Sequence, residues 1–290
     1  ALPIWTSFGN LTSAVDNSME AERGFKVKRQ DGKPILHEQR DEIAKGVAEV
    51  EAVLGPLADV LHKTALTIAH TNGKHPFMRG NAGGLYSSGD RTVSIGIGSI
   101  LGKPIPALAH ELGHWLDFEA GRALNQESRR WRSSGKVVTS SSLAESDVRN
   151  FVGPNPGRGL IQKATDTINN TRAVVGVLSK KLGTTTDKDA KAEIERAKIS
   201  LGSYWRDPAE VIARLTEQLI ATKRGKAGVS HDSPEYYQSH PGWWTALTFA
   251  QLMPDVEREL QRRLAAIRGP QVVEPVMGSG VLAKARSTVR

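Results

Sequence analysis

The amino-acid sequence predicts an α+β domain with a small sheet, one apolar helix at its centre and a mostly helical C-terminal half. Three observations lead to this prediction. The runs at residues 64–69 and 85–95 have the short, β-branched and apolar character of strands. Residues 106–118 form an apolar stretch of the length expected for a buried helix. Beyond residue 160, apolar residues recur mainly at helical spacing.

The N-terminal half supplies the predicted sheet. Residues 37–54 carry apolar residues at helical spacing, and Gly55-Pro56 is expected to end that helix. The run at residues 85–95 is predicted to be two strands joined by a turn at Ser88-Gly89-Asp90. The second of these strands then leads into the apolar helix.

The C-terminal half is predicted to be helical apart from one polar stretch. The apolar helix is expected to continue to about residue 132. Residues 133–159, rich in Ser, Gly and Pro, are interpreted as a flexible excursion or a lid. Further helices are predicted over residues 160–182, 188–203, 207–223 and 243–268, the last with a break near Pro254. One domain is expected over residues 1–268, followed by a flexible tail at 269–290.

The composition limits the classes of function. The chain has 39 Lys and Arg against 31 Asp and Glu, a net charge of +8 that is spread along the sequence and supports nucleic-acid binding only weakly. It has no cysteine, which excludes disulfides and thiolate metal sites and suits a reducing compartment such as the cytoplasm. No apolar run reaches the ~18 residues of a membrane span, so no membrane partner is expected.

The apolar helix contains the pattern His-Glu-x-x-His, formed by His110, Glu111 and His114. Histidines four residues apart project from one face of a helix, so both imidazoles can bind one metal ion. Such a pair is typical of catalytic zinc, which keeps three protein ligands and an open position. Glu111 can then take a proton from a water molecule that the metal activates. The alternative is a core helix with two histidines and a solvated glutamate.

Gly113 lies between the two histidines. Glycine inside a helix costs about 1 kcal/mol relative to alanine, so its presence asks for a reason. Close approach of another backbone to this face of the helix would supply one.

The third protein ligand has several candidates. Asp117 follows on the same face, but it is seven residues from His110, or ~10.5 Å along the helix axis. It is therefore interpreted either as an acceptor that orients the ring of His114 or as a solvent-facing residue or the partner of an arginine. Glu145 has a short apolar context within the polar stretch. Glu210 opens a strongly amphipathic helix.

Glu210 also fits two purely structural roles. The sequence Asp207-Pro208-Ala209-Glu210 is a capping box, with aspartate as the N-cap and glutamate at the third helical position. Glu210 and Arg214 are spaced for an ion pair along one helix. The residues alone leave cap and ligand open.

Two segments together resemble a known family. Ala-His-Glu-Leu-Gly-His-Trp-Leu-Asp at residues 109–117 and Tyr-Trp-Arg-Asp-Pro-Ala-Glu-Val-Ile-Ala-Arg-Leu-Thr-Glu at 204–217 resemble the zinc metallopeptidase domains of large polyvalent proteins, which phages and conjugative elements carry. The resemblance covers about residues 85–118 and 203–255 and makes a helical hairpin at about 160–203 an insertion. It implies a zincin-like, gluzincin-type fold with Glu210 as third zinc ligand. Where the family usually has Leu-Phe after this glutamate, the chain has Val211-Ile212.

The sequence thus predicts a zinc-dependent endopeptidase that acts on protein substrates. The resemblance implies that the substrate is the polyvalent parent protein or a host factor, in the cytoplasm of the host cell or after delivery by a virion. An exposed edge of the sheet could hold an extended substrate as an added strand. Tyr236, Tyr237 and His240 are candidate donors to the oxyanion, or ordinary surface aromatics.

Two other functions fit parts of the sequence. A nucleic-acid-associated protein with a structural zinc and no peptidase activity would account for the net charge and the basic tail. A zinc-bound scaffold that no longer cleaves would keep the two histidines, but the intact Glu111 argues against it.

Overall fold

The computed structural model describes residues 23–29, 33–71, 84–96, 104–125, 128–131, 137–149, 156–168, 171–188, 190–192, 194–195, 204, 206–225 and 243–269. The first part of the chain contains both strands and helices, and helices dominate the second. The strands are β1 (Lys26–Arg29), β2 (Thr67–Thr71), β3 (Gly84–Ser87), β4 (Thr92–Gly96), β5 (Ser128–Trp131) and β6 (Val137–Ser140). The helices are α1 (His37–Leu54), α2 (Ala58–Thr64), α3 (Pro104–Ala123), α4 (Leu143–Arg149), α5 (Pro156–Thr167), α6 (Thr171–Thr184), α7 (Pro208–Arg224) and α8 (Ala246–Arg268).

The larger sheet has the strand order β1-β2-β4-β3. Strands β1, β2 and β4 are parallel, whereas β3 pairs antiparallel with β4. Ser88–Asp90 lie in the turn between β3 and β4, which confirms the predicted hairpin. Within the described sheet β3 is an edge strand, and it packs against α3. The predicted α+β class is therefore confirmed.

The first predicted strand begins later than expected. Thr64 ends α2, and Ala65 has a left-handed backbone (φ 51°), so the strand starts only at Thr67. The apolar residues that suggested a strand at 64–66 instead close the helix, where Leu66 is fully buried. By contrast, the helix predicted over residues 37–54 has those bounds and ends at Gly55, whose φ of 86° favours glycine.

Helix α3 runs through the centre of the core. Its apolar side chains are buried and pack against α1, α7, α8 and the sheet edge; they include Leu108, Leu112, Trp115 and Leu116. The closest partner is α7, because a Cβ atom on Gly113 would lie 2.8 Å from the Cα of Ala213. This close approach is the one that Gly113 predicted.

The segment after α3 differs from the prediction. The helix ends at Ala123 rather than near residue 132, because Asn125 adopts a left-handed backbone (φ 52°). Residues that were predicted to continue the helix form β5, which pairs with β6 in a separate two-stranded sheet. The polar stretch at 133–159, which was predicted to be a flexible excursion or a lid, contains β6, α4 and the start of α5.

The helix predicted over residues 160–182 is two helices, α5 and α6. Near the end of α5 the hydroxyl of Thr167 donates to the carbonyl of Lys163, a contact in which a side chain competes for a helical backbone acceptor. The described residues between 188 and 195 are helical, as predicted, whereas 196–203 lie outside the described residues.

The last helix, α8, begins after Thr245, whose hydroxyl accepts from the backbone N–H of Thr248. It runs through Pro254 without the predicted break and ends at Gly269. The tail from residue 270 onward lies outside the described residues. Among the described helices, none combines the length and apolar character needed to cross a membrane.

Candidate metal centre

Helices α3 and α7 bring three metal-ligating side chains together. His110 and His114 have ring centroids 5.0 Å apart. From the first turn of α7, Glu210 places Oε2 3.5 Å from Nε2 of His110 and Oε1 3.5 Å from Nε2 of His114. The ligand atoms of the three residues lie within 4.8 Å of one another. They are called the His–His–Glu triad below.

The electrostatics of the triad fit a bound cation. Among the described residues, no donor makes a hydrogen bond to the buried Oε2 atom of Glu210. Burial would raise the pKa of Glu210, but the two imidazoles hold it far below its usual range. Burial would lower the pKa of His110, but the carboxylates of Glu210 and Glu217 raise it to about 10. A divalent ion would supply the positive charge that this carboxylate requires and leave both histidines neutral.

Glu217 supports the triad from behind. Its Oε2 lies 3.2 Å from Nδ1 of His110, so the Nδ1–H group of His110 can donate a hydrogen bond to Glu217 while Nε2 faces Glu210. Such a carboxylate fixes the tautomer of a metal-ligating histidine and raises its basicity. This role was not predicted from the sequence, although Glu217 lies seven residues after Glu210, two turns along the same helix face.

The capping role of Glu210 is replaced by other contacts. The side chain of Asp207 accepts from the backbone N–H of Ala209, as an N-cap does. The backbone N–H of Asp207 donates to the carbonyl of Tyr204, so the reciprocal bond of a capping box is not needed. Arg214 donates to the main-chain carbonyl of Glu210. The Glu210 carboxylate is therefore left to face the histidines.

Glu145 lies close to the triad without joining it. Its side chain is buried and lines the same cavity, from the first turn of α4. However, the group of mutually close ligand atoms among the described residues contains Glu210 and not Glu145. Of the predicted third ligands, Glu210 is the one that the structure places beside both histidines.

Asp117 is the partner of an arginine. It is fully buried and accepts from the guanidinium of Arg263, the hydroxyl of Ser142 and the backbone N–H of Ala144. It is outside the group of mutually close ligand atoms. The predicted arginine partner is confirmed, and the solvent-facing alternative is wrong. A bond that orients His114 is absent from the described contacts of Asp117, whose oxygens are engaged elsewhere.

Glu111 is held beside the triad by the edge strand β3. Its side chain is buried, and burial raises the pKa of the carboxyl while the neighbouring imidazoles of His110 and His114 oppose that shift. The backbone of Tyr86 provides a hydrogen bond to the carboxylate. A Cβ atom on Gly84 would lie 2.6 Å from Cγ of Glu111, so only glycine leaves room for it. Sequence reasoning found Glu111 but not these two contacts.

An open cavity of about 570 Å³ gives access to the site. Its walls are the N-terminal part of α3, the start of α7, strand β3 and the first turn of α4. They include the triad, Glu111, Gly84, Leu85, Tyr86, Phe118, Glu145, Tyr204, Asp207 and Ala209. A substrate in this cavity would contact the triad and Glu111 at once.

The predicted oxyanion donors are not among the described residues. Tyr236, Tyr237 and His240 lie outside the described residues, so their predicted role stays a prediction. Tyr204, for which no role was predicted from the sequence, lines the cavity.

Comparison with known proteins does not identify a relative. No protein-family model, curated protein or solved structure matches the chain. The class of protein is therefore argued from the site: a His–His–Glu triad that could hold a metal ion, with a buried glutamate beside it in an open cavity.

Proposed function

We propose that this protein is a zinc-dependent endopeptidase that acts on protein substrates. The observation that carries the proposal is the placement of Glu111, a carboxylate outside the triad, in the wall of the cavity that the triad also lines. A metal site with no chemical task has no need of a carboxylate beside its ligands.

Zinc is the metal that this donor set suits best. Two histidine nitrogens and one carboxylate are the protein ligands of a common class of catalytic zinc site, in which one position stays open. Calcium and magnesium favour sites made of oxygen ligands, whereas imidazole suits zinc and its first-row neighbours. When bound, zinc acts as a Lewis acid on the scissile carbonyl and increases the acidity of the attacking water.

The chain itself supplies proton transfer and positioning. Glu111 takes the proton of the attacking water and returns it to the leaving nitrogen. The backbone of Tyr86 and the space left by Gly84 hold its carboxylate in place, which supplies the preorganisation that the step requires. Glu217 keeps His110 in the tautomer whose Nδ1 carries the proton and whose Nε2 faces Glu210.

The shape of the site favours an extended peptide as substrate. Strand β3 is both an edge strand of the described sheet and part of the cavity wall. An extended chain can add to such an edge through main-chain hydrogen bonds, which select for backbone and not for a particular side chain. The resemblance to metallopeptidase domains of polyvalent proteins supports a protein substrate of phage or host origin.

A structural zinc in a nucleic-acid-associated protein fits the site less well. Structural zinc is almost always enclosed by four protein ligands, whereas the triad offers three and faces a cavity. The described cavity wall also contains four acidic residues and no Lys or Arg, an arrangement that repels phosphate. The acidic residues are Glu111, Glu145, Asp207 and Glu210.

The test compares zinc-loaded wild type with Glu111→Gln on a library of unfolded proteins and peptides. The proposal predicts cleavage by wild type that a chelator abolishes, and a variant that keeps its zinc but loses turnover by at least ~10³-fold, because a general base is removed without a ligand. Loss of zinc from the variant, or unchanged cleavage by it, would show that Glu111 is not the base.

A further inference from the structure

Tyr204 is anchored to the helix that presents Glu210. Its carbonyl accepts from the backbone N–H of Asp207 at 3.1 Å, directly before the first turn of α7. The Cζ atom of Arg214 lies 5.9 Å from the centroid of the Tyr204 ring, in a cation–π contact. These two contacts anchor a residue that lines the cavity.

The side chain of Tyr204 lines the cavity together with the triad. Burial and the negative charges of Glu210 and Glu111 raise the pKa of Tyr204. An ordinary tyrosine is already protonated at neutral pH, so this hydroxyl is a hydrogen-bond donor. It therefore carries a proton within the space where a substrate carbonyl would meet the triad.

The other described side chains of the cavity wall offer no comparable donor. Tyr86 has the second hydroxyl in that wall, but it donates to Glu119 at 3.1 Å. The acidic residues of the wall accept hydrogen bonds when ionised, and His110 and His114 belong to the triad. Tyr204 is left as the side-chain hydroxyl available to a ligand.

We infer that Tyr204 is a catalytic residue of the proposed peptidase and donates a hydrogen bond to the oxygen of the scissile carbonyl as negative charge develops on it. This inference rests on the proposed function. The contacts of Tyr204 with Asp207 and Arg214 hold its ring in the cavity wall before the reaction. A donor positioned in this way stabilises this charge with little reorganisation.

The reaction balances without a covalent step at Tyr204. The oxygen of water bonds to the carbonyl carbon while its proton passes to Glu111. The carbon–nitrogen bond breaks as Glu111 returns that proton to the leaving nitrogen. Tyr204 contributes a hydrogen bond and keeps its own proton throughout.

The experiment uses Tyr204→Phe, which keeps the ring and removes the hydroxyl. Zinc affinity, kcat and KM on a cleaved peptide, and binding of a phosphinic peptide that mimics the tetrahedral intermediate are measured for wild type and variant. We expect kcat to fall by about 10²-fold, as for loss of one oxyanion donor, with KM and zinc affinity nearly unchanged. Binding of the phosphinic peptide should weaken by a similar factor, whereas binding of the uncleaved peptide, measured with Glu111→Gln as background, should not.

Every other outcome overturns the inference in a distinguishable way. If Tyr204→Phe loses zinc, the hydroxyl serves to position Glu210. If kcat is unchanged, or if Tyr236→Phe or Tyr237→Phe produces the loss instead, the donor is elsewhere while the peptidase stands. If zinc-loaded wild type neither cleaves peptides nor binds the phosphinic peptide, the proposed function fails together with the inference.

Discussion

The N-terminal half of α3 contacts a buried carboxylate oxygen of another helix, whereas the C-terminal half carries a buried carboxylate of its own. Towards the N-terminus, His110 and His114 face Glu210, whose buried Oε2 receives no hydrogen bond from the described residues. Towards the C-terminus, Asp117 is fully buried but receives the guanidinium of Arg263 and two further donors. A buried carboxylate surrounded by donors holds helices together, whereas one that faces two imidazoles is arranged for a cation.

The arginine end also connects distant elements. Arg263 on α8 pairs with Asp117 on α3 and with Glu259, 2.9 Å away on its own helix. Arg262 bridges Glu259 and Asp147 of α4. These ion pairs fix the C-terminal half of α3 between α4 and α8, so that its N-terminal half is presented to the cavity from a rigid base.

The largest change in the free energy of unfolding is expected when the ion pair between Asp117 and Arg263 is removed. Asp117→Asn keeps the shape of the side chain but removes the charge that faces Arg263. We expect the free energy of unfolding to fall by about 3 kcal/mol, because a buried guanidinium loses its closest partner. Urea denaturation measures this change, and zinc binding should persist because the triad is untouched.

The matched control for that variant is Asp59→Asn. Asp59 pairs with Arg268, 2.8 Å away, at the surface, where Asp59 is exposed and Arg268 is half-buried. Removal of this exposed pair should change the free energy of unfolding by less than about 1 kcal/mol. Equal effects of the two substitutions would show that the buried pair does not hold α3 to α8.

A smaller effect is expected where α3 meets α7. In Gly113→Ala the new methyl group would lie 2.8 Å from the Cα of Ala213 and force the two helices apart. We expect a loss of about 1–3 kcal/mol in the free energy of unfolding, as for overpacking, together with weaker zinc binding because Glu210 moves away from the histidines.

Gly183→Ala is the control for the glycine substitution. Gly183 lies within α6, and no atom lies within 4 Å of a Cβ placed there. Alanine should stabilise that helix by up to about 1 kcal/mol and leave zinc binding unchanged. A Gly113→Ala variant that is as stable as Gly183→Ala would contradict the close packing of α3 on α7.

The smallest effect separates helix capping from metal binding. Asp207→Ala removes the side chain that accepts from the backbone N–H of Ala209. We expect a loss of about 1 kcal/mol in the free energy of unfolding with the zinc content preserved. Thermal denaturation with metal analysis measures both quantities, and loss of zinc would mean that the cap and the ligand cannot be separated.

The sequence predicted those parts of the molecule whose cause is local. The histidine spacing depends only on helix geometry, and the reason for Gly113 could be expected from the low helical propensity of glycine. Gly55 ends α1 where predicted, and the turn at Ser88–Asp90 joins two strands as predicted. In each case the few residues around the feature determine it.

The missed features depend on residues that are far apart in the sequence. Arg263 meets Asp117 across 146 positions, and Glu217 meets His110 across 107. Tyr204 lies in the cavity wall only because the helix that follows it, α7, packs against α3. The β5–β6 hairpin was missed because residues 119–132 have mixed propensities, and a left-handed Asn125 decides the end of α3.

The most direct test of the account is the zinc content of Glu210→Gln beside that of Glu145→Gln, two carboxylates in the wall of one cavity. An amide is a poorer zinc ligand than a carboxylate, and the N-cap of α7 does not depend on Glu210. Wild type and Glu145→Gln should each bind about one zinc ion per chain, as a single three-ligand site does. Glu210→Gln should bind zinc at least ~10-fold more weakly, with its helicity retained. Full zinc affinity in Glu210→Gln, with loss in Glu145→Gln, would contradict the triad.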